Sequence, residues 1–131
     1  MTDQNLSSKE TTGRKILVVD DNKDAADTLA MMLRLKSQEV IVKYDGREAV
    51  AAGADFLPEI AILDIGMPGL DGYETCKLIR QQPWGKEMKL IALTGYGQEE
   101  DVRKSTEAGF DTHLLKPVDL AQLLQLLQEF G

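Results

Sequence analysis

The chain has 131 residues, enough for one domain with a buried core. Its formal charge is −7, from 15 Lys and Arg against 22 Asp and Glu, and this acidity argues against direct binding of nucleic acid. The apolar runs are too short to span a membrane and no signal peptide is recognisable, so we expect a cytoplasmic protein that does not contact a membrane.

The N-terminal residues are rich in Ser, Thr, Lys and Glu and nearly lack apolar side chains. Such a segment buries too little apolar surface to offset the entropy lost on ordering. We therefore predict a disordered tail at residues 1–13 and a single domain at residues 14–131.

Five short runs of branched apolar residues follow the tail. They predict β-strands at residues 15–20, 39–43, 60–64, 90–94 and 112–116. The first, third and fourth runs are almost continuously apolar, which is typical of strands covered on both faces. The second run alternates apolar and polar residues, as an edge strand does.

Helical patterns separate these runs. Two segments carry apolar residues at i, i+3, i+4 and i+7, one starting at Ala26 and the other at Leu120. Weaker helical segments cover residues 46–55, 71–82 and 98–108, and Gly109 is placed to end the last of them. Repeated strand and helix units predict an α/β fold, a doubly wound five-stranded parallel sheet in a three-layer sandwich.

Polar residues stand where the predicted strands end. Asp20 and Asp21 end the first strand, Asp64 the third, Thr94 the fourth and Lys116 the fifth. The carboxyl ends of parallel strands share one edge of the sheet, and ligands bind there at the point where strand order reverses. We therefore expect these five residues to form one crevice.

The residue types in this crevice indicate a chemistry. Clustered carboxylates repel one another unless a cation lies among them, and oxygen ligands without His or Cys favour Mg²⁺, with Mn²⁺ as the alternative. A central carboxylate can attack phosphorus and form an aspartyl phosphate. We predict Asp64 as this nucleophile, Lys116 as the cation for a phosphoryl oxygen and Thr94 as a hydroxyl donor.

Each of these residues also has a plainer interpretation when taken singly. An Asp at a strand end usually caps a helix or a turn, Lys116 alone is a solvated charge, and Thr94 alone is a cap for the next helix. The functional interpretation depends on all of them occurring together at strand ends.

With these residues in view, the chain resembles a response-regulator receiver domain of two-component systems from about residue 14 to residue 130. The segments that carry the resemblance are ILVVDDN at 16–22, LDIGMPGLDGYE at 63–74, ALTGYG at 92–97 and AGFDTHLLKPVD at 108–119. The resemblance implies a flavodoxin-like sheet of order 2-1-3-4-5. It also implies that a histidine kinase or a histidine phosphotransfer protein phosphorylates Asp64.

The resemblance further implies a ligand set. Mg²⁺ would be held by Asp21, Asp64 and the carbonyl of Gly66, and Asp20 would act mainly through metal-bound water. A cis peptide bond between Lys116 and Pro117 is implied as well.

A switch is another implication of the resemblance. Thr94 would move toward the phosphoryl group, and His113, three residues before Lys116, would turn inward behind it. Receivers of the best-known type carry Tyr or Phe at the position of His113. We hypothesise a partner face on residues 98–108, Thr112–Leu115 and 120–130, because the helix at 98–108 has few apolar anchors.

Two other classes of function share parts of the pattern. A metal-dependent phosphatase of the haloacid dehalogenase kind also uses an aspartyl nucleophile, but it needs D-x-D after the first strand, where this chain has Asp20, Asp21 and Asn22. A flavodoxin-like cofactor module needs a Ser/Thr-rich phosphate loop there, and the chain also lacks the G-x-x-x-x-G-K-[ST] motif of nucleotide hydrolysis.

We therefore predict a signalling switch and not a turnover enzyme. Because the last predicted helix ends close to Gly131, output is expected through partner proteins. The chain is expected to be a monomer or a weak dimer, either as a standalone regulator or as the receiver of a hybrid histidine kinase.

Overall fold

Strands and helices alternate along the chain. The computed structural model describes residues 13–95 and 99–130. The elements are β1 (Lys15–Val19), α1 (Lys23–Leu35), β2 (Glu39–Lys43), α2 (Gly46–Phe56), β3 (Ile60–Asp64), α3 (Gly72–Gln81), a 3₁₀ turn (Pro83–Gly85), β4 (Lys89–Thr94), α4 (Glu99–Ala108), β5 (Thr112–Leu115) and α5 (Leu120–Glu129). The predicted strands differ from these bounds by at most one residue at either end.

The five strands form one parallel sheet of order β2-β1-β3-β4-β5, which confirms the predicted topology. The central strand β3 is buried along its whole length, as its continuous apolar sequence predicts for a strand covered on both faces. The edge strands β2 and β5 are less buried.

Two apolar layers cover the sheet. On one face Ile16 and Ile62 pack against Leu29 of α1 and Leu123 of α5. The opposite face is covered by α2, α3 and α4, where the core includes Leu17, Leu63, Ala49, Ile79 and Ala108. Because alternate strand residues point to opposite faces, both layers need apolar strand side chains, which is the sandwich expected from the sequence.

Local polar contacts set the helix ends. The side chain of Asn22 accepts a hydrogen bond from the Ala25 N–H at 3.1 Å and starts α1. Asp71 and Glu74 form a capping box at the start of α3. Gly109 ends α4 as predicted. Its φ of +115° is a backbone conformation that residues with L side chains rarely adopt.

The predicted tail and the hypothesised partner face each extend beyond the residues that the structure describes. Of the predicted tail, residues 1–12 lie outside the described residues, and so does Gln98 of the hypothesised partner face. Gly13 donates its N–H to the Ser37 carbonyl at 2.8 Å and so contacts the domain. Within the described ranges, no helix is long and apolar enough to cross a membrane.

Candidate functional site

The polar strand-end residues gather at the carboxyl edge of the sheet. Asp64 is the last residue of β3 and Thr94 the last of β4, whereas Asp20 directly follows β1 and Lys116 directly follows β5. Because all the strands are parallel, these four positions share one edge. The structure therefore brings together residues that lie far apart in the sequence.

Three carboxylates converge at this edge. Asp20, Asp21 and Asp64 each offer an oxygen within 4.8 Å of the others. Asp20 is 2% exposed and Asp64 6% exposed, whereas Asp21 is exposed. Backbone donors hold the two buried groups, because the Asn22 N–H donates to Asp20 Oδ1 at 3.0 Å and the Gly66 N–H to Asp64 Oδ1 at 3.1 Å.

The ammonium group of Lys116 lies against the two buried carboxylates. Lys116 Nζ is 2.9 Å from Asp64 Oδ1 and 3.4 Å from Asp20 Oδ2. With all three acids ionised, one lysine leaves the cluster with excess negative charge. That excess favours binding of a further cation.

The surroundings of Asp20 and Lys116 shift the pKa values of both side chains. Burial, opposed by the Asn22 N–H and reinforced by the charge of Asp64, raises the pKa of Asp20 to about 6. Burial acts to lower the pKa of Lys116, but its hydrogen bond to Asp64 and the charges of Asp64 and Asp20 outweigh burial, so the pKa is raised. The lysine is therefore held as a cation beside the acids.

The donor set fits a hard divalent cation. The converging carboxylate oxygens match the preference of Mg²⁺, which binds through one or two carboxylates and keeps several waters. Mn²⁺ accepts the same oxygen ligands. Gly66 lies two residues beyond Asp64, with its N–H on that carboxylate, and the role of its carbonyl as a ligand stays a prediction.

The hydroxyl of Thr94 is buried and unsatisfied. Thr94 is 1% exposed, and its Oγ1 has no hydrogen-bond partner among the residues that the structure describes. Buried hydroxyls are normally paired, because an unpaired one loses its hydrogen bond to water without replacement. A group of this kind can donate to an oxygen that arrives at the site.

His113 lies on β5, the strand that pairs with β4, and Thr94 is the last residue of β4. In the register of β4 and β5, His113 is opposite Ala92 and Leu115 is opposite Thr94. Because residues two apart share a face of the sheet, His113 and Thr94 lie on the same face, the one covered by α4. The imidazole is half-buried.

The peptide bond between Lys116 and Pro117 is cis, as the resemblance implies. This bond follows directly on β5, where Lys116 turns into the site. An apolar groove of about 650 Å³ opens beside it, lined by α1 and by residues 116–118. Asp20 and Lys116 are among the residues that line the groove, which the sequence did not predict.

Arg80 and Asp111 are further polar residues that sequence reasoning missed. They form an ion pair of 2.9 Å near the amino ends of the strands, away from the carboxyl ends where the acidic residues gather. Arg80 stands in the last turn of α3, where a basic residue usually complements the helix dipole, so the sequence offered a plainer explanation.

The geometry agrees with comparisons to known proteins. The family model of the response regulator receiver domain matches residues 16–128. The solved structure of the chemotaxis protein CheY4 from Vibrio cholerae is 30% identical, with a TM-score of 0.86 over 90% of this chain and 98% of that one.

Two other solved structures carry more specific descriptions. The receiver domain of the sensor histidine kinase PA1611 from Pseudomonas aeruginosa, with a magnesium ion coordinated in its active site cleft, is 32% identical, with a TM-score of 0.82 over 90% of this chain and 97% of that one. A chain of the co-crystal of the phosphotransfer protein Ypd1 with the receiver domain of Ssk1, from Saccharomyces cerevisiae, is 26% identical, with a TM-score of 0.83 over 92% and 90%.

The match of the family model covers most of the chain, and the order of the strands in the sheet agrees with it. The sequence-based resemblance is thereby confirmed. The chain belongs to the response regulator receiver domain family of two-component signalling.

Proposed function

We propose that this receiver domain is a phosphoacceptor switch. Asp64 takes a phosphoryl group from the phosphohistidine of a histidine kinase or of a histidine phosphotransfer protein. Mg²⁺, or Mn²⁺ in its place, is held by Asp21, Asp64 and the carbonyl of Gly66, and Asp20 acts mainly through metal-bound water. The observation that carries the proposal is the convergence of three carboxylates with the ammonium of Lys116, 2.9 Å from Asp64.

The residues of the chain perform the transfer as follows. A carboxylate oxygen of Asp64 attacks phosphorus in line, the new O–P bond forms, and the N–P bond of the donor breaks with its electron pair returning to the imidazole. Lys116 neutralises a phosphoryl oxygen, and the Thr94 hydroxyl donates a hydrogen bond to another. The bound divalent cation supplies charge neutralisation of the phosphoryl oxygens.

Two known proteins support the ion and the donor. In the PA1611 receiver a magnesium ion is coordinated in the active site cleft, and the Ssk1 receiver was crystallised with the histidine phosphotransfer protein Ypd1. By analogy with these, the carboxylates of our chain bind magnesium and its donor is a phosphohistidine protein. A cytoplasmic location and a monomeric or weakly dimeric state accompany the proposal.

The signal leaves the site through Thr94 and His113. The Thr94 hydroxyl, buried without a partner among the described residues, gains one when the phosphoryl group arrives. His113 follows it inward on the same face of the sheet. The partner face then comprises residues 98–108, Thr112–Leu115 and 120–130, and the exposed Leu115 on edge strand β5 supports this assignment.

The test is incubation with acetyl phosphate and Mg²⁺, followed by intact-mass measurement. Wild-type protein should gain one phosphoryl mass that hydroxylamine removes, and a chelator should suppress the gain. Asp64→Ala should gain nothing, whereas the matched control Asp55→Ala, at an exposed position of α2, should behave as wild type. Repeated turnover of small phosphoesters without a stable adduct would instead indicate a phosphatase.

A further inference from the structure

Arg80 joins three segments of the chain through its guanidinium group. Nε and Nη2 donate to the Gly109 carbonyl at 3.0 and 2.7 Å, and Nη2 also donates to Asp111 Oδ2 at 2.9 Å. Nη1 donates to the carbonyls of Gly85, Lys86 and Met88 at 3.0, 3.2 and 2.7 Å. A planar fork with five N–H groups can span such a set, which an ammonium cannot.

The acceptors lie at the amino ends of the strands, whereas the phosphoacceptor site lies at their carboxyl ends. Met88 precedes β4, and Gly109 and Asp111 lie between α4 and β5. Asp111 extends the network, because its Oδ2 also accepts the Leu90 N–H at 2.9 Å and its own N–H donates to the Leu90 carbonyl at 2.8 Å. Arg80 therefore ties the end of α3 to the start of β4 and to the end of α4.

Helix α4 is fastened at this end. The N–H groups of Gly109 and Phe110 close the last turn on Thr106 and Ser105, and Cys76 Sγ donates to the Ala108 carbonyl at 3.4 Å. A Cβ at Gly109 would lie 3.1 Å from Arg80 Cγ, so the arginine packs directly on the glycine that ends the helix.

The described part of α4 before Ser105 has fewer buried side chains than its C-terminal end. Of the side chains described at 102–108, only Ser105 and Ala108 are buried. The helix begins at Glu99, five residues after Thr94, so its N-terminal end is the one nearest the site. An element with one tight end and one loose end can pivot about the tight end.

We propose that Arg80 is a positioning residue that fixes the C-terminal end of α4, so that movement of Thr94 tilts the helix about Gly109 instead of releasing it. The inference rests on the proposed function, because the movement transmitted is that of the switch. Phosphoryl acceptance itself should not depend on Arg80, which contacts none of the site residues. The difference between the two signalling states should depend on it.

The test compares Arg80→Lys with Arg34→Lys by amide hydrogen exchange. Arg34 is a matched control, because its Nη2 also donates to a backbone carbonyl, that of Val40 at 2.7 Å, on the other side of the sheet. In chelator, Arg80→Lys should exchange at least about tenfold faster than wild type at residues 102–110, while β3 exchanges as in wild type. Arg34→Lys should leave residues 102–110 unchanged.

The second measurement adds beryllofluoride, a phosphoryl mimic, with Mg²⁺. Wild type should change its exchange at residues 102–115, and in Arg80→Lys this change should be largely lost although the mimic still protects the loop after Asp64. A merely structural arginine would alter both states equally. Asp111→Asn, which weakens only one acceptor, should give an intermediate effect if Arg80→Lys folds poorly.

Three results would overturn the inference. If amide exchange of Arg80→Lys at residues 102–110 equalled that of wild type, Arg80 would not anchor α4. If the exchange rate rose uniformly over the whole domain, Arg80 would contribute only to general stability. If Arg80→Lys responded to beryllofluoride as wild type does, α4 would not tilt about an end fixed by Arg80. Failure of the wild-type protein to respond to beryllofluoride would instead refute the proposed function and the pivot with it, while the anchor would still be judged by the measurements in chelator.

Discussion

Lys116 Nζ lies 2.9 Å from Asp64 Oδ1, although β4 separates their two strands in the sheet. The lysine reaches across the end of β4, where the buried Thr94 hydroxyl lies. A phosphoryl group on Asp64 would therefore meet a cation and a hydroxyl donor from two further segments.

Replacing Lys116 should slow phosphoryl acceptance without abolishing the acceptor. In Lys116→Met the charge that neutralises a phosphoryl oxygen is lost, and removal of one such group costs on the order of 100-fold in rate. The measurement is the rate of mass gain with acetyl phosphate. Lys86→Met, an exposed lysine outside the site, should keep the wild-type rate, and an equal rate in both variants would refute the role of Lys116.

Asp20 should make the metal-free protein less stable at neutral pH. Burial raises its pKa from 3.8 to about 6, so the folded protein binds this proton more tightly than the unfolded chain. The stability that this carboxyl contributes is therefore fully present below pH 3.8 and is lost as the pH rises through about 6.

Asp20→Asn removes this penalty. In chelator at about pH 7.5, urea unfolding should show the variant to be about 1–3 kcal/mol more stable than wild type, and the difference should shrink toward zero near pH 4. Asp55→Asn, on the exposed surface of α2, should differ little from wild type at either pH. An Asp20→Asn protein less stable than wild type at neutral pH would contradict the electrostatic account.

Mg²⁺ should stabilise the protein through the acidic cluster. At about a 100-fold excess over its Kd, the ion should raise the free energy of unfolding by about 2–3 kcal/mol. The effect should fall below pH 6, because protonation of Asp20, whose pKa is about 6, competes with the cation. Thermal unfolding in Mg²⁺ and in chelator measures it.

Asp21→Asn provides the matched variant for the metal. Asp21 is exposed, so its replacement should leave the stability in chelator close to wild type while most of the gain from Mg²⁺ disappears. An undiminished gain would show that the ion binds elsewhere.

Thr94→Val should separate stability from signalling. Valine has nearly the same shape and lacks the hydroxyl that has no partner among the described residues, so the unphosphorylated protein should be about 1 kcal/mol more stable. The variant should still accept a phosphoryl group. It should lose the changes in amide hydrogen exchange at residues 102–115 that beryllofluoride induces in wild type. Thr94→Ser keeps the hydroxyl and should retain those changes.

The sequence predicted the fold well because its signals are local and repeated. Continuous apolar runs identify buried strands such as β3, and Gly109 marks the end of α4, since both patterns follow from backbone geometry. The convergence of Asp20, Asp64, Thr94 and Lys116 followed from topology, because the carboxyl ends of parallel strands must meet. Sheet order was supplied by the family resemblance.

Other features depend on tertiary contacts that no local pattern encodes. The network of Arg80 joins segments up to 31 residues apart, and the groove beside Lys116 arises where α1 and the segment after β5 leave a gap. Leu57, at φ +54°, ends α2 in a left-handed conformation that its residue type does not suggest. Such features are decided by packing between elements.

The most direct test of the central claim locates the phosphoryl group. After incubation with acetyl phosphate and Mg²⁺, borohydride reduction converts an acyl phosphate to an alcohol, and peptide mass spectrometry identifies the reduced residue. Our account predicts homoserine at position 64 and unmodified aspartate at positions 20 and 21. Reduction at another residue, or none at position 64 in protein that has gained phosphoryl mass, would contradict it.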